Sequence, residues 1–238
     1  MSHRTLDIEA LTNYLHLSAG DVMTLVKRRE IPHERVGDQI RFRKVEIDSW
    51  ASQRLLGFSA KNLHEFHQAS TAKMHDLSAE HALIPDLMQP SYIQAELPAR
   101  TRGSVIRGMV ALADKTDLLL TPEDLQTSVE EREALCSTAL TGGFALLHAH
   151  VHEPWMFEDS FIALGRTVSS IPFGSPDGQT SNLFFLVCSQ DDKIHLHMLA
   201  RLSMLAYHTS VLLELNEAET AEDMYEALVT AELEVLKG

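Results

Sequence analysis

In the stretch FALLHAHVHEP, residues 144–154, His148, His150 and His152 alternate directly behind a short apolar run. On a strand, period-two geometry places all three imidazoles on one face. Such a trio suits two chemistries. A neutral ring nitrogen can take up a phosphoryl group, provided the other nitrogen is held so that the attacking lone pair is free. Three imidazoles, or two with a carboxylate such as Glu153 or Asp159, can instead hold a metal ion. The third reading is no chemistry at all, with each ring satisfied by backbone or water. His195 and His197 follow later in the chain, about 200° apart around a helix, so only one of them can join a common site.

The elements that must position these rings belong to a chain of 238 residues, long enough for one large domain or two small ones. Charge is unevenly placed. Residues 1–56 carry 9 Lys/Arg against 8 Asp/Glu, leaving 11 against 26 for the rest of a net −14. Two charge regimes imply two units, and the acidic one is a poor nucleic-acid surface. Cys136 and Cys188 lack CxxC spacing and read as reduced thiols. With no apolar run of membrane-spanning length and no signal-like start in MSHRTLDIEA, a cytoplasmic protein is expected.

Apolar residues from Leu6 to Leu17 recur at helical spacing, and Ser18 is a cap for a second helix that ends in Lys27-Arg28-Arg29. Pro32 closes it. His33–Phe42 reads as a hairpin about Gly37-Asp38, and Val45, Ile47 and Trp50 suggest a closing helix. The segment LDIEALTNYLHLSAGDVMTLVKRREIPHERVGDQIRFRKVEIDSW resembles the excisionase/MerR-like winged helix-turn-helix family, most specifically in IPHERVGDQIRFRKVEIDSW. The resemblance implies that the second helix enters the major groove and the hairpin lies along the backbone. Candidate DNA contacts are Thr24, Lys27, Arg28, Arg35, Arg41 and Arg43, while Asp21 in the first turn would face phosphate. The alternative is a winged module kept for protein contacts or dimerisation.

Residues 57–88 read as a linker, partly helical, with His64, His67, His75 and His81 on a solvated face. From there strands and helices interleave: a strand near Ile93–Leu97, helices near 102–115 and 122–135, strand runs at Phe144–His148, Phe161–Thr167 and Leu183–Cys188, and helices near 194–207 and 221–236. The pattern predicts an α/β (α+β) domain with a mixed sheet flanked by helices. The acidic stretch Glu214–Glu234 reads as a solvated face. The segment EEREALCSTALTGGFALLHAH, the strand LFFLVCSQDD and the helix KIHLHMLARLSMLAYH together resemble the IIA domain of the fructose/mannitol-type sugar phosphotransferase system, including its nitrogen-regulatory branch. The likeness spans residues 89–238.

That resemblance implies that His148 is the phosphorylated residue, flanked by His195, with Arg132 and the hydroxyl pair Ser137-Thr138 nearby. Donors of those types lower the barrier to phosphoryl transfer by fixed electrostatics. The family's Pro-His-Gly is here Leu147-His148-Ala149, so either His148 is displayed differently or transfer has been lost. The implied protein is a regulator phosphorylated by an HPr-type phosphocarrier and coupled to a DNA-binding unit at residues 1–56. Its alternatives are a non-catalytic sensor that kept the fold, or a metal site at His148, His150 and His152. No cofactor is implied, and the oligomeric state is left open, with a dimer among the expected states.

Overall fold

The computed structural model describes residues 5–15, 17–56, 82–150, 153–190 and 192–237. The linker histidines His64, His67, His75 and His81, and also His152, lie outside them.

The N-terminal unit begins with strand β1 (Thr5–Leu6) and helix α1 (Ile8–Leu15). Helix α2 (Ala19–Arg28) starts in a capping box, in which the Ser18 hydroxyl accepts from the Asp21 amide and the Asp21 carboxylate reaches back to Ser18. Asp21 thereby serves as a cap. Strands β2 (Glu34–Val36) and β3 (Gln39–Arg43) form the hairpin, β1 pairs with the other edge of β3, and α3 (Lys44–Leu56) closes the unit. Leu11, Val22, Phe42 and Ile47 are fully buried at its centre.

The second unit opens with a short helix α4 (Ile84–Leu87), strand β4 (Ile93–Leu97) and helices α5 (Arg102–Asp114) and α6 (Pro122–Leu135). Strands β5 (Ala139–Leu140), β6 (Phe144–His148), β7 (Phe161–Ile171) and β8 (Ser181–Cys188) follow, then helices α7 (Asp192–His208), α8 (Val211–Glu217) and α9 (Ala221–Lys237). The strands lie in the order β4-β7-β8-β6-β5. The pairs β4–β7 and β6–β8 are parallel, and β7–β8 and β5–β6 antiparallel. The mixed sheet expected from the alternation of element types is therefore present.

Period two divides the core cleanly. Phe144, Leu146, Leu183, Phe185 and Val187 face α7, α8 and α9, whereas Ala145, Leu147, Phe184, Leu186 and Cys188 face α5 and α6. Each face buries several large side chains, worth about 2 kcal/mol apiece before entropy is charged against them. The turn that launches β6 needs φ of +107° at Gly142 and +83° at Gly143, conformations that side chains rarely adopt. At Gly165 on β7, an added Cβ would meet the Met109 sulfur at 2.6 Å, so α5 lies directly on the strand.

The acidic tail corrects one expectation. Glu232 on α9 is 0% exposed; it accepts from the Leu83 and Ile84 amides at 2.9 and 2.8 Å and pairs with Arg201 of α7 at 2.7 Å. A carboxylate so placed satisfies two helix-start amides and a buried guanidinium at once. Burial lowers the Arg201 pKa while Glu232 pulls it back up. Among the described residues no helix is long and apolar enough to cross a membrane.

Candidate functional site

Strand β6 ends at His148, which is the last residue paired with β8, opposite Val187. Its even-numbered register turns it to the face of Phe144 and Leu146, toward α7. Helix α7 begins just after β8, so its first turn rises beside the carboxyl end of β6. His195 lies there, and the two rings sit 5.0 Å apart, centroid to centroid. Both are almost completely buried, at 1% and 2% exposure. The carboxyl ends of parallel strands are where an α/β sheet leaves room for a site.

Two neighbours fix the protonation of His148. Arg132 Nε donates to Nε2 at 3.0 Å, and Nδ1 lies 2.8 Å from the Leu146 carbonyl oxygen. A guanidinium only donates and a carbonyl only accepts. The ring is accordingly the neutral tautomer with hydrogen on Nδ1 and a lone pair on Nε2. Arg132 itself is 1% exposed, and its Nη1 donates to the Cys136 carbonyl at 3.0 Å. Its Nη2 is buried without a hydrogen-bond partner among the described residues. Nε–H and Nη2–H form one edge of the guanidinium, the fork that grips two oxygens of a phosphate or carboxylate.

The remaining expected residues are placed differently. The Ser137 hydroxyl donates to the Phe173 carbonyl at 2.6 Å, and the Thr138 hydroxyl to the Glu133 carboxylate at 2.7 Å. These two hydroxyls thus bind the approach segment to its surroundings. Burial raises the Glu133 pKa against the opposing pull of the Thr138 hydrogen bonds. Strand β6 stops at His148, so His150 lies beyond the alternating face. His150 has its amide on the Ser128 hydroxyl and its Nδ1 3.4 Å from the Ser49 hydroxyl on α3. Among the described residues no group of three His, Cys, Asp or Glu could hold a metal. His197, on the far side of α7 from His195, is pulled down to a pKa of about 4 by burial and by Arg201.

The residues flanking His148 explain how the ring is displayed without proline or glycine. Leu147 and Ala149 are core residues, 0% and 2% exposed. Extended backbone at positions 146 and 147 is held by the β6–β8 ladder, which restricts the chain there as a proline at 147 would. Ala149 does not take a positive φ; among the described non-glycine residues only Arg29 and Asp117 do. Sequence reasoning did not find Ser49, Ser128 or the Leu146 carbonyl. The first two are contacts between distant segments, and the third is a backbone atom that no residue type announces.

On the winged unit, Thr24, Lys27 and Arg28 share the exposed face of α2. Most of the candidate cations already have acidic neighbours. Arg41 lies 3.6 Å from Asp7, Arg43 pairs with Glu34 at 2.5 Å and Glu46 at 3.5 Å, and Arg28 lies 4.0 Å from Glu30. Arg35 is exposed.

Residues 86–230 match the family model of the phosphoenolpyruvate-dependent sugar phosphotransferase system, EIIA 2. Residues 5–55 match that of a helix-turn-helix domain. A curated relative, the fructose-specific EIIABC component of the system in Bacillus subtilis (strain 168), is 28% identical over 141 residues. Those residues are 58% of this chain and only 22% of that protein, so the chain spans about a fifth of the relative. Among solved structures, nitrogen regulatory protein IIA-Ntr from Neisseria meningitidis superposes with a TM-score of 0.54 at 23% identity, covering 62% of this chain and 99% of that one. IIA mannitol from Escherichia coli gives 0.53 at 18% identity, covering 59% and 98%. These structural likenesses establish the fold of the second unit.

Proposed function

This chain belongs to the EIIA 2 family of the phosphoenolpyruvate-dependent sugar phosphotransferase system, and from that premise we propose that it accepts a phosphoryl group on Nε2 of His148 and couples that state to DNA binding by its helix-turn-helix domain. The observation that carries the proposal is the Arg132 edge. Nε–H already meets Nε2, and beside it Nη2–H is buried without a partner among the described residues. A buried donor left unmatched costs about 1–3 kcal/mol, a cost that makes sense where a ligand oxygen arrives.

The step needs no external base. An HPr-type phosphocarrier presents a phosphohistidine, its P–N bond breaks as the Nε2–P bond forms, and Nδ1 keeps its hydrogen on the Leu146 carbonyl. Arg132 turns its fork from the nitrogen lone pair to the equatorial oxygens, where charge collects in transfer. His195, in the first turn of α7, adds a second imidazole and the partial positive charge of a helix start. Ser137 and Thr138 keep the segment before β6 in place.

Incubation with phosphoenolpyruvate, the general enzyme of the system and an HPr-type carrier is expected to leave an acid-labile phosphate that His148→Ala abolishes. Label that survives in that variant, or none on the wild type with any donor, overturns the assignment.

A further inference from the structure

The winged unit does not stand apart from this site. Helix α3 packs along α7. Leu196, next to His195 in sequence, is 3% exposed and belongs to the apolar cluster of Leu11, Leu25, Val26, Ile47 and Ala51. One residue of the phosphotransferase domain is thus inserted into the core of the other unit. On the same helix α3, the Ser49 hydroxyl reaches His150, two residues from His148, and His150 is tied through its amide to Ser128 of α6. Helix α3 therefore contacts both segments that carry the paired imidazoles, the end of β6 and the first turn of α7. The rings beneath are 1% and 2% exposed.

A phosphohistidine on a carrier protein must reach Nε2 in line, which requires an open face of protein size. From this we propose that α3 occupies the surface the phosphocarrier needs, so that docking of the helix-turn-helix domain and phosphorylation of His148 exclude each other. The inference rests on His148 being the acceptor. Linkage makes the exclusion reciprocal. Only the undocked fraction is a substrate, and the apparent rate of labelling falls by that fraction. Once formed, the phosphoryl group brings a charge of about −1.5 to −2, which the buried contact of Leu196 with α3 solvates poorly, so the undocked form is favoured. The recognition face of α2 is exposed in the docked form. What phosphorylation changes is whether that face is fixed to the acidic domain or released from it.

The test uses the full chain with Ser49→Arg, which places a long cation between α3 and the segment after β6, on the side of His150 and away from the rings of His148 and His195. Two donors are compared, the HPr-type carrier and phosphoramidate, a small donor that needs no docking face. Hydrogen exchange of the α7 amides near residues 194–199 reports undocking. With the carrier, Ser49→Arg is expected to be labelled at least about tenfold faster than wild type, and carrier-phosphorylated wild type to show the faster α7 exchange of the variant. If Ser49→Arg leaves exchange unchanged, Ala51→Arg, which cannot keep α3 packed, replaces it with the same expectation. Faster exchange together with an unchanged rate of labelling by the carrier overturns the exclusion while leaving His148 as acceptor. No label from either donor on any form overturns the acceptor assignment, and the exclusion with it.

Discussion

Replacement of Arg132 by lysine separates its two roles. The side chain supplies Nε–H to His148, Nη1–H to the Cys136 carbonyl and a buried Nη2 with no partner among the described residues. Lysine keeps one positive charge and loses the planar fork. In the resting fold, the loss of the bonds to His148 and to the Cys136 carbonyl costs about 2 kcal/mol, and the removal of the unmatched donor returns about 1–3 kcal/mol. Those two nearly cancel, so the urea midpoint should move little. In the transition state, two charge-assisted donors to phosphoryl oxygens disappear. Each preorganised donor of this kind is worth about 10²–10³ in rate, or about 3–4 kcal/mol. Arg132→Lys is therefore expected to slow labelling by about a hundredfold or more at nearly wild-type stability. Rapid-quench labelling from the carrier, beside urea unfolding of the same preparation, measures both. A rate within about threefold of wild type, or a rate loss matched by an equal loss of stability, would refute the reasoning.

Glu232→Ala leaves Arg201 buried beside an empty position and strips two amides of their acceptor. It should cost about 3–5 kcal/mol in urea unfolding, whereas Arg201→Met with Glu232→Leu should cost clearly less; equal losses would show that the pair is not what the variant breaks. His197 gives a pH signature. Its pKa is pulled to about 4 in the fold from 6.5, so its contribution is complete above pH 6.5 and lost as pH falls toward 4, about 3 kcal/mol in all. His197→Leu should flatten the stability profile across that window, and an unchanged slope would remove the explanation. For the winged unit, exposed Lys27 and Arg28 and the partly neutralised Arg41 and Arg43 predict weak, salt-sensitive DNA binding. Arg41→Ala with Arg43→Ala should lower the salt slope by up to about 2, and binding indifferent to salt would count against a phosphate-contacting wing.

How much of this was readable depended on how local each signal is. β6 and β8 were legible because runs such as FALL and LFFLVC leave no polar residue to face water, and the α2 start was legible in Ser18. β5 has only two residues and α8 seven, too short for periodicity to register. Glu232 looked like one more acid on a solvated helix because its partners, Arg201 and the Leu83 and Ile84 amides, are at least 31 positions away. Strand alternation could not place His150 for a related reason. Alternation says which face a side chain takes while the strand lasts, and the last β6–β8 pairing is His148 with Val187. Arg132 and His195 came from the family resemblance; the sequence held no sign that the Arg132 fork would be buried with one donor to spare.

Helix α7 joins these observations. Within three consecutive residues it presents His195 to His148, Leu196 to the winged unit and a buried His197, and one turn on it anchors Arg201 to Glu232. Successive residues point about 100° apart, so the first turn cannot be rearranged around His195 while Leu196 stays seated. The Arg201 anchor keeps the rest of the helix in place, so a change at His148 is confined to that first turn. Glu232 also holds the amides of Leu83 and Ile84, where the described chain resumes after the winged unit. A released winged unit would then remain tethered to a fixed point on the acidic domain while its α3 contact is lost.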